Sequence, residues 1–495
     1  MTKSPKRNLK APGWIGLLIV TIAIIILSHL PAVAATTPRH YNEIKFPPLP
    51  EIKLPDYQRY KLNNGMVVYL MEDHDLPLVS GTALIRTGSR WEPPEKVGLA
   101  TLTGIVMRSG GTTKHTGDEL NEILEQRAAS VETGIDIAAG SASFSALAED
   151  LERVFNILAE VIQKPIFAQE KLDLAKRQIA GQIARRNDSP DGIAGREFAK
   201  LIYGERSNYA RTIEYANLDN ISREDLVKFY QKYVQPQNMI LGIVGDFKTR
   251  KMRSQIQEKF GNWQPTDRDK GEKITVPGAT QAKEGGIFIV DRPQLTQSSV
   301  QIGHLGGQFN NPDYPELDVL NQVMNGFGGR LFNEVRSRLG LAYSVYGVWS
   351  PRHDYPGIFV AGGQTRSETT VPFIQAVRSE IAKIRQTPIT PTELTAAKDE
   401  VINSFVFNFQ DPSQTLSRLM RYEYYGYPAD FLFRYRQEVE ATTIEDVQRV
   451  AAKYLQPDKL VTLVVGNSKT IIPPLTSISP KVTSLDITIP APKNS

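Results

Sequence analysis

The sequence contains no cysteine in its 495 residues. No disulfide supports the fold, no thiol serves as a nucleophile, and no thiolate ligates a metal. Histidine is also scarce, with six in the chain and none between His74 and His115. His74 in "MEDHDLP" and His353 in "PRHDYP" each neighbour an aspartate, but adjacent turn residues rarely converge on one ion, and both are expected on surface loops. His40, His115 and His304 have no partner at ligand spacing. An excess of charge is missing too. The formal net charge of +4 comes from the first ten residues, "MTKSPKRNLK"; without those four cations, Lys+Arg falls from 58 to 54 and equals the 54 Asp+Glu. A neutral chain points to neither nucleic acid nor an anionic membrane as partner. The glycine-rich "NGFGGRLF" (325–332) lacks the Gly-Lys-Ser/Thr ending of a phosphate loop, which argues against nucleotide binding.

What is present begins with residues 1–34. A basic start, a 17-residue apolar run from Trp14 to Leu30 and the small residues Ala32–Ala35 make the layout of a signal peptide. The run is just long enough to span a bilayer, so a retained membrane anchor is the alternative. In either case the remainder is expected to be exported, to a periplasm or anchored facing it.

The main organising feature is a repeat. "SREDLVKFYQKYVQPQNMILGIVGDF" (222–247) realigns without gaps on "TIEDVQRVAAKYLQPDKLVTLVVGNS" (443–468) at an offset of 221. Each copy reads as a helix, a proline stop and a buried strand. A second echo, "PIFAQE" (165–170) against "PITPTE" (388–393), lies at an offset of 223. The chain is therefore a tandem duplication of a unit of about 220 residues. Composition sets the expected boundaries: a proline-rich approach segment at 35–55, a first unit at 56–263, a polar linker at 264–286, a second unit at 287–470 and a loose tail at 471–495. Within the first unit, "YKLNNGMVVYLMED" reads as a hairpin around Asn64-Gly65, followed by the strand "LVSGTALIRTGS". Helical periods run through 117–129, 149–163 and 168–187. The fold class is α+β, a mostly antiparallel sheet in each unit with helices covering one face.

"EKVGLATLTGIVMRSGGT" (95–112) has the spacing of a short helix, with Leu99, Leu102, Ile105 and Val106 on neighbouring rows, yet almost no chemical groups. Together with the hairpin, "GSRWEPPEKVGLA", "SGGT", "PIFAQEKLDLAKRQI", "KYVQPQNM" and "GGRLFNEVRSRLGLAYSVYG", it resembles the M16 peptidases, the pitrilysin, insulysin and mitochondrial-processing-peptidase relatives. The resemblance spans about residues 56–470 and implies duplicated units closing around a peptide-holding chamber. It also implies that this helix is where active members carry the inverted zinc motif H-x-x-E-H, with a glutamate ligand 77 positions beyond the second histidine. Those positions fall on Thr101, Gly104, Ile105 and Gln182. Isoleucine has no lone pair, glycine cannot act as a base, and threonine and neutral glutamine are poor ligands. The helix is expected to be a relic whose apolar residues pack a core, with no metal bound in this chain.

"EVRSRLGLAYSVYG" (334–347) reads as a helix end, a stop at Gly340 and a strand from Leu341. Arginines suit a helix C-terminus and tyrosines suit strands, so structure alone would account for them. The resemblance instead assigns Arg336 and Tyr343, seven residues apart, to the pair that reaches a bound substrate; Arg338 has the wrong spacing. It implies a subunit that lacks zinc and works with a homologous M16 subunit carrying H-x-x-E-H and zinc, on a peptide substrate. The alternatives it leaves open are a catalytically inactive scaffold or peptide-binding protein and an autonomous peptidase with an unconventional site.

Overall fold

The computed structural model describes residues 54–265 and 278–492, apart from positions 327 and 410. The signal-peptide segment, nearly all of the approach segment and much of the linker lie outside the described residues. Two six-stranded sheets organise the rest. Strands β1 (Gln58–Lys61), β2 (Val67–Glu72), β3 (Leu78–Ile85), β4 (Ser130–Ile135), β5 (Gly140–Leu147) and β6 (Met239–Gly245) form the first, in the order β1-β2-β6-β3-β5-β4. Strands β7 (Ile287–Asp291), β8 (Gln297–Leu305), β9 (Ala342–Ser350), β10 (Ile358–Arg366), β11 (Val461–Gly466) and β12 (Val482–Ser484) form the second, in the order β12-β7-β11-β8-β10-β9. The inner patterns are the same. In each sheet the strand at the end of the repeat (β6, β11) pairs parallel with one neighbour and antiparallel with the other.

The repeat is visible in local chemistry. Ser222 and Thr443 accept from the backbone N–H of Asp225 and Asp446, whose carboxylates return to the cap backbone N–H. These reciprocal capping boxes open the helices Arg223–Tyr233 and Ile444–Tyr454. Pro236 and Pro457 then begin single 3₁₀ turns leading into β6 and β11, whose side chains are buried on both faces. The hairpin at Asn64-Gly65 forms as its sequence predicts, with Gly65 at φ 96°. Asn64 is buried and donates from Nδ2 to the carbonyl of Phe260 at 2.7 Å.

Helices cover more than one face of each sheet, which departs from the sequence expectation. Helix Pro190–Tyr203, from the first half, packs through Ile193, Phe198, Leu201 and Ile202 against Phe288, Val290, Leu463 and Val465 of the second sheet. Helix Pro412–Tyr425, from the second half, packs through Leu416, Leu419, Met420 and Tyr424 against Tyr69, Met71, Ile240 and Val244 of the first. The two helices stand 222 positions apart, the spacing of the duplication itself. They are the same element of the repeat, exchanged between halves. Polar contacts fix the exchange: Glu423 accepts from Arg59 at 2.7 and 3.0 Å and from the Tyr69 hydroxyl at 3.0 Å. Asp191 accepts from Ser299 at 2.7 Å and Gln364 at 2.6 Å.

The tail, over its described residues 471–492, is not loose. Ile471 and Leu475 are buried, β12 adds a parallel strand to β7, and Leu485 N–H donates to the Ile289 carbonyl at 2.8 Å. Leu485, Ile487 and Ile489 alternate at the end of "KVTSLDITIP", a strand period that the surrounding prolines obscure. His353 lies on a loop as expected, but it is half-buried rather than at the surface. Its ring stacks on Tyr425 with centroids 4.5 Å apart and lies 4.6 Å from Phe309. Among the described residues, no helix is long and apolar enough to cross a membrane.

Buried His304 donates from Nδ1 to the Leu305 carbonyl at 2.8 Å and accepts at Nε2 from Gln456 N–H at 3.1 Å, which fits the neutral ring. Burial pushes His304, and likewise His353, down from 6.5 to about 4. Unfolding returns each ring to its ordinary affinity for protons, so the unfolded chain binds more protons below pH 6.5 and acid favours it. Stability should therefore fall as pH drops from about 6.5 towards 4, by roughly 2 kcal/mol for buried His304 at pH 5 relative to pH 7 and by less for half-buried His353, whose shift solvent screens. Urea unfolding midpoints at the two pH values measure this, and equal midpoints would contradict it.

Candidate functional site

Helix Leu99–Ser109 lies along the outer edge of β4. Its N-terminus is capped by Glu92, which is buried and accepts from Gly98 and Ala100 N–H at 2.9 Å each. Arg211 reinforces this turn by donating to the carbonyls of Ser89 and Glu92 at 2.7 and 2.8 Å. Burial nevertheless pushes the Glu92 carboxyl up. An acid just ahead of a helix is a sequence signal for such a cap, one that the motif reading passed over.

Leu99, Leu102, Val106 and Met107 are buried as expected of a packed helix, but Ile105 is 37 % exposed. It lies four residues after half-buried Thr101, on the outward face, and Gln182 of helix Gln169–Ala184 is exposed as well. None of the three offers a strong N or O donor. Gly104 is closed by contact. A Cβ there would lie 2.5 Å from Ile135 N and 2.8–2.9 Å from the Gly134 backbone. The Gly104 carbonyl accepts from the Thr133 hydroxyl at 2.6 Å, and Arg108 Nε donates to the Val131 carbonyl at 3.0 Å. Helix and strand thus meet backbone to backbone where an active member's base would project. These residues do not fit a zinc ion. Among the described residues, no group of three or more His, Asp or Glu is placed to hold a metal.

Arg336 and Tyr343 are brought together. Residues Phe332–Arg338 form a π-helical turn, a form often found at functional positions. Leu331 and Val335 anchor it in the core, Gly340 at φ 62° ends it, and β9 begins at Ala342. Arg330 grips Glu393 with Nε and Nη2 at 2.6 and 3.1 Å, which holds the Glu393 carboxyl at about 2 and tethers the start of the turn. The Arg336 guanidinium lies 4.6 Å from the Phe332 ring and 4.9 Å from the Tyr343 ring. Among the described residues, no carboxylate lies within ion-pairing distance of it. Tyr343 is 84 % exposed. Arg338, in contrast, is tied to Glu334 through two hydrogen bonds. Phe332 was not singled out from sequence, although its spacing of four from Arg336 places the two side by side on a helical turn. Two asparagines of the preceding segment pin β9: Asn325 bonds both backbone groups of Gly347, and Asn321 both of Trp349.

This geometry is a duplicated α+β chain whose first half lacks zinc ligands at Thr101, Ile105 and Gln182 and whose second half holds an exposed tyrosine, Tyr343, beside half-buried Arg336. Family models match both halves. "Insulinase (Peptidase family M16)" covers residues 67–206 and "Peptidase M16 inactive domain" covers residues 220–401. The chain belongs to the M16 peptidase family. Among similar proteins, the "Uncharacterized zinc protease YmxG" of Bacillus subtilis is 22 % identical over 82 % of this chain and 98 % of its own. The "Non-peptidase homolog YmxG" of Helicobacter pylori is 22 % identical over 83 % and 94 %. The crystal structure of a "peptidase M16 inactive domain" from Pseudomonas fluorescens superposes with a TM-score of 0.75 at 24 % identity, covering 83 % of this chain and 98 % of that one. A protease structure from Helicobacter pylori superposes at 0.73 with 20 % identity, over 83 % and 100 %.

The closed contact at Gly104 has a direct test. Gly181 sits within a neighbouring helix with nothing within 4 Å of its would-be Cβ. Alanine is favoured over glycine in a helix by about 1 kcal/mol, so Gly181→Ala should raise the melting temperature. Gly104→Ala should lower it, because overpacking at the β4 backbone costs about 1–3 kcal/mol. If both substitutions stabilise, the helix is not held against β4 as described.

Proposed function

We propose that this chain is the non-zinc-binding subunit of a two-subunit M16 metallopeptidase, acting on peptides or unfolded segments. On this reading it supplies Arg336 and Tyr343 to a homologous partner that carries H-x-x-E-H and zinc. It works outside the cytoplasm, in a periplasm or anchored facing it. The observation that supports this most is the Arg336–Tyr343 pair, 4.9 Å apart, with the tyrosine exposed and the arginine free of any carboxylate among the described residues. A guanidinium and a phenol are fixed donors that can hydrogen-bond a substrate carbonyl and the negative charge that develops on its oxygen during hydrolysis. Such donors act without a metal in the same chain. Stacking between Phe332 and Tyr343 limits the arginine's freedom, so less entropy is lost when it engages a carbonyl.

A second reading, a catalytically inactive scaffold or peptide-binding protein, draws support from the Helicobacter pylori relative described as a non-peptidase homolog.

The purified chain alone should cleave no unstructured peptide, and mixing it with an H-x-x-E-H homologue from the same genome should give activity that neither shows alone. A partner fully active by itself would favour the scaffold.

In that complex, Arg336→Ala and Tyr343→Phe should each reduce turnover by about 10²–10³, the usual effect of losing one oxyanion donor. Assembly should be intact by size-exclusion chromatography. Arg336→Lys should not rescue, since lysine lacks the planar fork. Arg338→Ala, which only frees Glu334, should stay close to wild type. Full activity in all of these variants would remove the pair from the mechanism.

A further inference from the structure

A cleft of about 630 Å³ lies between the two halves and shares no residue with the Arg336–Tyr343 pair. Ser80 and Thr82 of β3 and Ser143 of β5 line one side. Arg418 and Arg421 of the exchanged helix Pro412–Tyr425 line another, with His353 beside them. The polar groups here are not explained by the fold. No aspartate or glutamate lines the cleft. Arg418 is held on one side by an amide oxygen, Asn408 Oδ1, and its Nε is buried without a partner. Arg421 has neither a hydrogen bond nor an ion pair among the described residues.

Three nearby carboxylates make their contacts elsewhere. Asp354 pairs with Arg90 and accepts from the Tyr209 hydroxyl, and Glu423 is taken by Arg59 and Tyr69. Asp136, which lines an adjoining cavity that also contains Arg421, accepts from Ala138 and Ala139 N–H at 2.7 Å each. Two guanidiniums therefore face the serine and threonine hydroxyls in a cleft that no carboxylate of the chain lines. The positive potential is felt locally: burial first, and then the charge of Arg421, push the His353 ring's proton affinity down.

We propose that this cleft binds a small molecule bearing an oxyanion, a carboxylate or a phosphate, gripped by Arg421 and Arg418 and received by the serine and threonine hydroxyls of the first sheet. The cleft's size suits a small ligand, and charge-assisted hydrogen bonds from guanidinium to an oxyanion are the strong kind. Because its walls come from both halves, the ligand would bridge them and stabilise the folded chain by mass action.

Thermal unfolding of the purified chain tests this, titrating sodium phosphate or sodium succinate separately with ionic strength held constant by sodium chloride. The expected result is a saturable rise in melting temperature with at least one of the two. Tighter binding of phosphate assigns a phosphoryl group, and tighter binding of succinate a carboxylate. Arg421→Gln, at an exposed side chain with no partner to lose, should fold normally and weaken the apparent affinity at least tenfold. Arg418→Gln should do the same, with circular dichroism confirming its fold. No saturable shift beyond sodium chloride with either probe, or an Arg421→Gln variant that binds as tightly as wild type, overturns the proposal.

Discussion

The exchange of one helix between the halves is the constraint on which the rest of the structure depends. Each sheet completes one face with a helix made by the other repeat. Phe198 and Ile202 are essentially buried against the second sheet, and Leu416 and Met420 nearly so against the first. Burying such side chains contributes about 1.5–3 kcal/mol each, so the two exchanged interfaces together rival the 5–15 kcal/mol that keeps a typical domain folded. Drawing the halves apart would expose both clusters and break the Glu423 and Asp191 contacts at once. The two repeats behave as one body, and any surface on them is presented in a fixed relation.

That rigidity gives helix Leu99–Ser109 a structural role of its own. Leu99–Ser109 covers the edge of β4, takes the Glu92 cap and buries Leu102, Val106 and Met107. None of this involves Thr101, Ile105 or Gln182, which face outward. Ligand groups can be lost from the outward face without disturbing the inward one. Gly104 is different, because it sits on the contact with β4. A glutamate there would have to push the strand away, so the packing leaves no room for a larger side chain at this position.

Much of this was legible in the sequence because it rests on local chemistry. Capping boxes at Ser222 and Thr443, proline stops and apolar strands are short-range signals, and they recur at a fixed offset. The exchanged helices carry the same offset, with Pro190 and Pro412 opening them and Gly204 and Gly426 ending them. Their sequences, "PDGIAGREFAKLIYG" and "PSQTLSRLMRYEYYG", share little else, and the face each covers lies in the other repeat. Nothing local states that destination. The same holds for the tail, where three residues of strand are specified by the free edge of β7 rather than by their own propensity. The loop residue His353 gave no sign of its partial burial because its aromatic neighbours, Phe309, Tyr425 and Tyr427, come from distant segments. At the site, the sequence shows residue identity and spacing, but not that Phe332 completes the stack around Arg336.

The contrast between the two ends of the candidate site is physical. Around the zinc-motif positions, fold requirements account for every buried residue, and the outward ones are chemically mute. Around Arg336 the reverse holds. Leu331, Val335 and the Arg330–Glu393 pair account for the stability of the π-helical turn. Tyr343 and Arg336 lie outside that packing. A tyrosine left 84 % exposed on a strand contributes little to the core, and an arginine stacked on it forgoes the ion pair its neighbour Arg338 makes with Glu334. Cation–π contact at an exposed site is worth only about 0.5–1 kcal/mol, a modest return for holding a guanidinium and a phenol in one place. The fold carries this arrangement without needing it for its own stability.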